Sequence, residues 1–298
     1  MKIAFIGLGA MGRPMAANLQ RAGHEVRAHD LRRVDGFPNW CSSIEEAAQG
    51  AALAFTSVPG PAEVEQVGEK LKGSLARGAA WFDLSTNSPQ RIRRLHAALA
   101  KVGIDLLDAP VSGGPAGAQS GKLAIWVGGE KAVYDKHVPV LKAIGDQPLY
   151  VGPIGAGTVA KLAHNCASFS LQAALAEIFT LGVKGGVEPL ALFRALRQGA
   201  TGRKRTFDRL ADHFLPGKYD PPAFTVRLAH KDVALAMELA KEIGVPMRVG
   251  EIALQELAAA MQRGWAERDC RVAMTLQEER AGVTARVAAD RLREALEE

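Results

Sequence analysis

A short apolar run, Ile3–Ile6, passes directly into Gly7-Leu8-Gly9-Ala10-Met11-Gly12 and then into a helical pattern opening at Pro14. No other feature constrains the chain as much. Glycines at this spacing between a strand and a helix have separate steric duties. The first allows a tight turn, the second lets a pyrophosphate approach the backbone, and the third lets helix and strand pack closely. Free N–H groups and the macrodipole at the helix start favour negative charge there. Pro14 has no N–H to satisfy, which suits a first turn. Glycine turns are common, so the spacing alone is weak. The context strengthens it, because Asp30 closes the expected second strand (Glu25–His29, within His24–Asp30), where an acid can accept hydrogen bonds from ribose hydroxyls. The pattern predicts a dinucleotide site formed by Gly7, Leu8, Gly9, Ala10, Met11, Gly12 and Asp30, with NAD preferred. Arg32 and Arg33 follow, and guanidinium groups there suit a 2′-phosphate, so NADP stays open as the alternative.

Further apolar runs at Leu53–Ser57, Ala80–Leu84, Asp105–Leu107 and Leu123–Val127 read as strands. Between them, Ile44–Gln49, Ala62–Lys70 and Gln90–Lys101 carry helical spacing, as Pro14–Arg21 does. This alternation predicts an α/β unit with a largely parallel sheet covered on both faces. The pattern changes after Gly152-Pro153. Thr158–Lys184, Pro189–Gln198, Phe207–His213, Arg227–Ile243 and Gly250–Arg263 all read as helices, so the second half is expected to be all-α. The expected domains are 1–153, dinucleotide-binding, and 154–298, helical. Charged Arg286–Glu298 reads as a surface helix or a frayed tail.

Composition narrows the function classes. The 298 residues are 48% apolar and 23% charged, within the range of a globular protein able to build two cores. The net charge of +5 is spread along the chain. It suits an anionic ligand, and no dense basic tract argues for nucleic acid. Arg203-Lys204-Arg205, the tightest basic cluster, reads as a solvated helix end. Cys41, Cys166 and Cys270 are far apart, so neither a disulfide framework nor a metal site follows, and free thiols point to a reducing, cytoplasmic setting. Met1-Lys2 before Ile3–Ala10 has the order of a signal peptide, but the same residues read better as a first strand. No apolar run reaches the ~20 residues of a membrane span.

Two further segments carry chemistry. Val58-Pro59 and Ser85-Thr86 follow strands three and four, where an α/β sheet opens to ligands, although loop chemistry alone explains them as well. Asp108-Ala-Pro-Val-Ser112-Gly113-Gly114-Pro-Ala-Gly-Ala118 can turn successive N–H groups inward around a carboxylate, with Ser112 adding a hydroxyl, or it can be a plain glycine-rich connector. On the apolar segment after Gly157, the residues Lys161, His164, Asn165, Ser168 and Gln172 make a polar stripe. Unpaired burial of such groups costs about 1–3 kcal/mol each, so the stripe is expected to face a cleft. A lone His164 reads as structural. Lys231-Asp232 interrupts an amphipathic pattern and reads, by charge alone, as a solvated edge.

Taken together, FIGLGAMGRPMAANL, DAPVSGGPAGAQSGKLAIWVGG, GAGTVAKLAHN and HKDVALAMELAKEIGVP resemble the β-hydroxyacid dehydrogenase family, the group of 3-hydroxyisobutyrate dehydrogenase and tartronate semialdehyde reductase. The resemblance implies a Rossmann-type N-terminal domain, an all-helical C-terminal domain and an active site between them. It implies that Lys161 is the catalytic lysine, that Asn165 contacts substrate, and that Ser112, Gly113 and Gly114 bind its carboxylate. Lys231 and Thr86 fall on the cofactor side, beside Val58 and Pro59. The implied substrate is a small anionic hydroxy acid, with no metal. The apolar helices of the second half are expected to pair in a homo-oligomer. Many relatives carry two consecutive asparagines where this chain has His164-Asn165, and Gln198–Lys204 lacks the serine-rich form of several relatives. Competing readings are an imine reductase, which commonly lacks the lysine kept here; a non-catalytic dinucleotide-binding module; and a phosphogluconate-type enzyme, whose helical domain is larger.

Overall fold

A computed structural model describes residues 1–184, 186–199, 207–242 and 248–297. The chain forms two compact units, Met1–Ala163 and His164–Glu298. By compactness the division falls inside a helix, after Ala163. The reason is local: the first turns of the helix that opens the second half are hydrogen-bonded to a strand end of the first unit, as described below.

The first unit is built on an eight-stranded sheet. Strands β1 (Lys2–Ile6), β2 (Glu25–His29), β3 (Leu53–Thr56), β4 (Ala80–Asp83) and β5 (Asp105–Asp108) pair in parallel in the order β2-β1-β3-β4-β5. Outside β2, Trp40 makes a single parallel bridge to Ala28. Counting that bridge, the order is 3-2-1-4-5-6, the doubly wound Rossmann arrangement, with the chain reversing direction between β1 and β3. Helices α1 (Gly12–Arg21), α2 (Ile44–Ala48), α3 (Pro61–Ser74) and α4 (Pro89–Ala100) make the crossovers. Alternate strand residues feed two cores. Phe5, Phe55 and Phe82 face one layer with Met15 and Leu19, while Ala54, Trp81 and Leu106 face the other with Val64, Leu71 and Ile92. Both faces are buried, which is why these strands read as continuous apolar runs.

The remainder of the sheet is not parallel throughout. β6 (Val111–Ser112) and β5 both pair antiparallel with β7 (Ala124–Gly128), and β8 (Gln147–Gly152) then pairs parallel with β7. Helices α5 (Gly114–Ser120) and α6 (Lys131–Leu141) fall here, and neither they nor β6 and β8 were expected from the sequence.

Helix α7 (Ala156–Lys184) begins in the first unit and continues into the second. The second unit adds α8 (Pro189–Gln198), α9 (Val226–Glu242), α10 (Arg248–Gln262), α11 (Thr275–Ala281) and α12 (Ala289–Glu297). The segment expected as a helix over Phe207–His213 is a 3₁₀ turn, Phe207–Ala211. Two apolar clusters, around Phe179, Phe193 and Phe214 and around Val226, Val233 and Leu257, form its interior. The charged end is a helix, and the basic cluster Arg203–Arg205 lies outside the described residues. Among the described residues no helix is long and apolar enough to cross a membrane.

The glycine turn permits a clean test of packing. A Cβ at Gly12 would lie 1.9 Å from the Gly7 carbonyl oxygen, whereas one at Gly9 would meet nothing within 4 Å. Gly12→Ala is expected to lower unfolding free energy by about 2 kcal/mol, read as a reduced denaturant midpoint, and Gly9→Ala to leave the midpoint where it is. Equal midpoints for the two variants would refute this account.

Candidate active site

The site begins at the reversal between β1 and β3. Gly7 has φ +97° and its N–H donates to the His29 carbonyl at 2.8 Å. A Cβ there would lie 2.2 Å from the Ser57 carbonyl oxygen, so only glycine lets the two strand ends approach. Gly7 and Gly12 are therefore packing glycines. Gly9 and Ala10 are exposed, and Leu8, Met11 and Gly12 sit beneath them, buried or half-buried. A Cβ at Gly9, just before the start of α1, would meet nothing within 4 Å, so backbone beside a helix N-terminus is open to an anion at this point.

Asp30 is half-buried beside this turn. Its carboxylate accepts the Leu8 N–H at 2.6 Å and the Arg32 N–H at 3.2 Å. Each oxygen keeps a lone pair for a further donor. Leu31, the next residue, is 95% exposed, although large apolar side chains usually avoid such exposure. Arg32 and Arg33 are exposed, and Arg33 lies over the Trp40 ring and near Asp35.

The ends of β3 and β4 are held by one buried group. Asp83 accepts from the Thr56 hydroxyl at 2.8 Å, the Asn87 amide at 2.9 Å and the Ser85 N–H at 3.1 Å. The Trp81 indole donates to Thr56 at 3.0 Å, and the Val58 N–H donates to the Ser85 hydroxyl at 3.0 Å. Burial pushes the Asp83 carboxyl up against these donors, which pull it down. The network fixes the two loops that carry Val58, Pro59 and Thr86.

The end of β5 organises the rest of the first unit. Asp108 is 1% exposed, and its two oxygens accept the Gly155 N–H at 2.7 Å and the Thr158 N–H at 2.5 Å. These are donors at the start of α7 that the helix itself cannot use. Burial raises the Asp108 carboxyl to about 6, opposed by the two backbone bonds. The helix start lies against bare backbone, since a Cβ at Gly157 would be 2.3 Å from the Trp126 carbonyl oxygen and one at Gly128 would be 2.6 Å from Asp108 Oδ1. Lys161 follows in the second turn of α7, half-buried. From the same strand end the chain runs through Ala109-Pro110 to Ser112, at the end of β6. Gly113 and Gly114 are exposed, with φ +135° and +62°. They form a strand-to-helix junction rather than an extended loop, and α5 is tied to α1 by the Asn18 amide donating to the Ala118 carbonyl at 2.9 Å.

In the second unit, Asn165 is buried and its amide nitrogen donates to Asp232. Asp232 is 2% exposed, and its other oxygen lies 2.9 Å from the Lys231 ammonium. The expectation of a solvated edge is corrected here: Asp232 shares the buried face of α9 with Ala229 and Ala236, as its i−3 and i+4 spacing already implied. The stripe on α7 is not uniformly open. His164 is exposed, while the Ser168 hydroxyl accepts from Arg209 at 3.3 Å. Of the segment Gln198–Lys204, residues from Ala200 onward lie outside the described residues.

Known proteins share these features. Residues 2–152 match the family model of the NAD-binding domain of 6-phosphogluconate dehydrogenase, and residues 155–276 that of the NAD-binding domain of NADP-dependent 3-hydroxyisobutyrate dehydrogenase. The chain is 35% identical to 2-(hydroxymethyl)glutarate dehydrogenase of Eubacterium barkeri, over 95% of this chain and 97% of that one. It is 34% identical to the NAD-dependent L-serine dehydrogenase of Pseudomonas aeruginosa, over 92% and 97%. The solved structure of Mycobacterium tuberculosis 3-hydroxyisobutyrate dehydrogenase with L-serine superposes with a TM-score of 0.81 at 30% identity, covering 92% of this chain and 98% of that one. With a Rossmann unit, a glycine cradle for NAD or NADP and this similarity along most of its length, the chain belongs to the β-hydroxyacid dehydrogenase family of 3-hydroxyisobutyrate dehydrogenase and tartronate semialdehyde reductase, and is an NAD(P)-dependent hydroxyacid dehydrogenase.

Proposed function

We propose that this enzyme interconverts a short β-hydroxy acid of the 3-hydroxyisobutyrate kind and its semialdehyde, prefers NAD, and uses Lys161 as its acid–base group. The observation that carries the reading is the pair Lys161 and Asn165, one helical turn apart on α7, with the Asn165 amide nitrogen already turned to Asp232. The names of the two relatives and the structural neighbour share one chemical unit, a hydroxymethyl group on the carbon that bears a carboxylate. A substrate of that class fits a site with a lysine, an asparagine and the Ser112-Gly113-Gly114 junction, whose two glycines are exposed.

In this reading Gly7–Gly12 holds the pyrophosphate, and Asp30 accepts from the adenosine ribose hydroxyls. A carboxylate there repels a 2′-phosphate, which supports NAD as the preferred cofactor. Leu31 offers an apolar surface beside the adenine. Val58, Pro59 and Thr86 border the nicotinamide half, and Lys231 belongs to the same end. The bound nicotinamide supplies the hydride acceptor or donor. Ser112, Gly113 and Gly114 hold the substrate carboxylate, and Asn165 orients the hydroxyl-bearing carbon. The Lys161 ammonium hydrogen-bonds the reacting oxygen. It gives that oxygen a proton in reduction and takes the proton back in oxidation. Three buried cysteines suit a reducing, cytoplasmic setting. Exposed Leu171, Val249 and Ile252 in the helical unit suit a homo-oligomer.

Replacing Lys161 with Ala is expected to lower kcat by about two to four decades while NADH still binds, followed by its fluorescence. Near-normal turnover in this variant would remove the lysine from the mechanism. An absorbance assay at 340 nm with 3-hydroxyisobutyrate, serine, glycerate and 4-hydroxybutyrate is expected to favour the first class of substrate and NAD over NADP. Asp30→Ala should raise the KM for NAD far more than it changes kcat, and a wild-type enzyme faster with NADP would overturn the cofactor preference.

A further inference from the structure

We propose that Asp108 is a positioning residue for the reaction: its buried carboxylate clamps the first turn of α7 and thereby sets the place of Lys161, so turnover depends on Asp108 being ionised. The proposal rests on the reading of Lys161 as the acid–base group. Two oxygens of one carboxylate accept two N–H groups, those of Gly155 and Thr158, on successive parts of the helix start. A carboxylate at that end also meets the favourable end of the helix dipole. Thr158 is fully buried, and Lys161 lies three residues on, about 4.5 Å along the axis. The clamp acts at close quarters, because glycines at 128 and 157 bring the helix backbone against β5 and β7 with no intervening side chain. A shift of the helix start therefore moves Lys161 directly.

Protonation weakens the clamp. A carboxylic acid keeps one good acceptor oxygen and turns the other into a donor, which faces an N–H it cannot bind. Burial holds this carboxyl at about 6, so the change falls just below neutral pH. The charged and titratable groups around it are few. Asp83 is its register partner on β4. Arg93 of α4 donates to the Ile154 carbonyl at 3.2 Å, beside Gly155. Lys161 itself follows on α7, and β7 contributes only Gly128 at this register. The linkage has a definite sign. The folded value lies above the ordinary 3.8, so the folded state holds the proton more tightly than the unfolded one. Between about 4 and about 6, the contribution of this group to stability falls as pH rises. Turnover runs the other way and rises across the upper part of that window. A merely structural carboxylate would not produce opposed trends.

The test compares wild type, Asp108→Asn and Lys161→Ala. The amide has the shape of the carboxylate but presents an NH₂ to one of the two N–H groups. In Asp108→Asn, kcat is expected to fall about 10- to 100-fold, with NADH affinity retained and the acid limb of the kcat–pH profile near 6 abolished. Wild-type kcat and an unchanged acid limb in Asp108→Asn, with Lys161→Ala inactive, would overturn the clamp and leave the lysine reading standing. An active Lys161→Ala would instead sink the lysine reading, and the clamp with it. Should Asp108→Asn fail to fold, the wild-type kcat–pH profile, with NADH affinity followed in parallel, decides the matter. At constant NADH affinity kcat is expected to fall as pH drops through 6, and a flat profile would refute the proposal.

Discussion

One carboxylate with two backbone partners fixes the point at which a parallel sheet hands the chain to a long helix. Asp108 ends β5, and the Gly155 and Thr158 amides that it accepts begin α7. A helix leaves its first N–H groups unsatisfied, and a sheet end has no side chain to spare unless a polar residue is buried there. Supplying both needs with one aspartate costs desolvation, visible in its raised pKa, and returns two charge-assisted hydrogen bonds. The close approach of Gly128 and Gly157 is possible because neither carries a Cβ, which would collide with the facing backbone.

The same device recurs. Asp83, next to Asp108 across the sheet, gathers Thr56, Ser85 and Asn87 and so fixes the loops after β3 and β4. Asp232 in the helical unit orients Asn165 and pairs with Lys231. In each case a buried acid sits one step behind residues that the proposed function assigns to ligand binding. An unpaired buried charge would be costly, so each acid is surrounded by donors. The exposed glycines, Gly9, Gly113 and Gly114, offer backbone in place of side chains.

Much of this was legible in the sequence, for physical reasons that also explain the gaps. Strands buried on both faces advertise themselves as apolar runs, as β1, β3 and β4 do, and the alternating edge strand β2 and the short β5 also follow the expected segments closely. The glycine spacing marks the turn because no other residue fits Gly7 or Gly12. By contrast, α5 is written Gly-Pro-Ala-Gly-Ala-Gln-Ser, a composition that reads as loop; anchoring to α1 makes it helical. Pro139 inside α6 hid that helix, and β8 carries Pro148 and a largely half-exposed pattern. Asp232 was misjudged because charge pattern suggested solvent, while helical spacing put it on the buried face of α9. Asp108 was seen only as the start of a glycine-rich run, since its partners lie about 50 residues away and are backbone groups without a sequence signature.

The single bridge made by Trp40 has a consequence for solubility. It caps β2, whose Ala28 both donates to the Asn39 carbonyl at 3.1 Å and accepts the Cys41 N–H at 2.7 Å. An outermost strand with open amides is a template for another chain. Here the connection between β2 and α2 occupies that template itself, with Arg33 laid over the indole. The β2 border of the sheet is thus shielded from intermolecular strand addition by a few residues that never become a strand of their own.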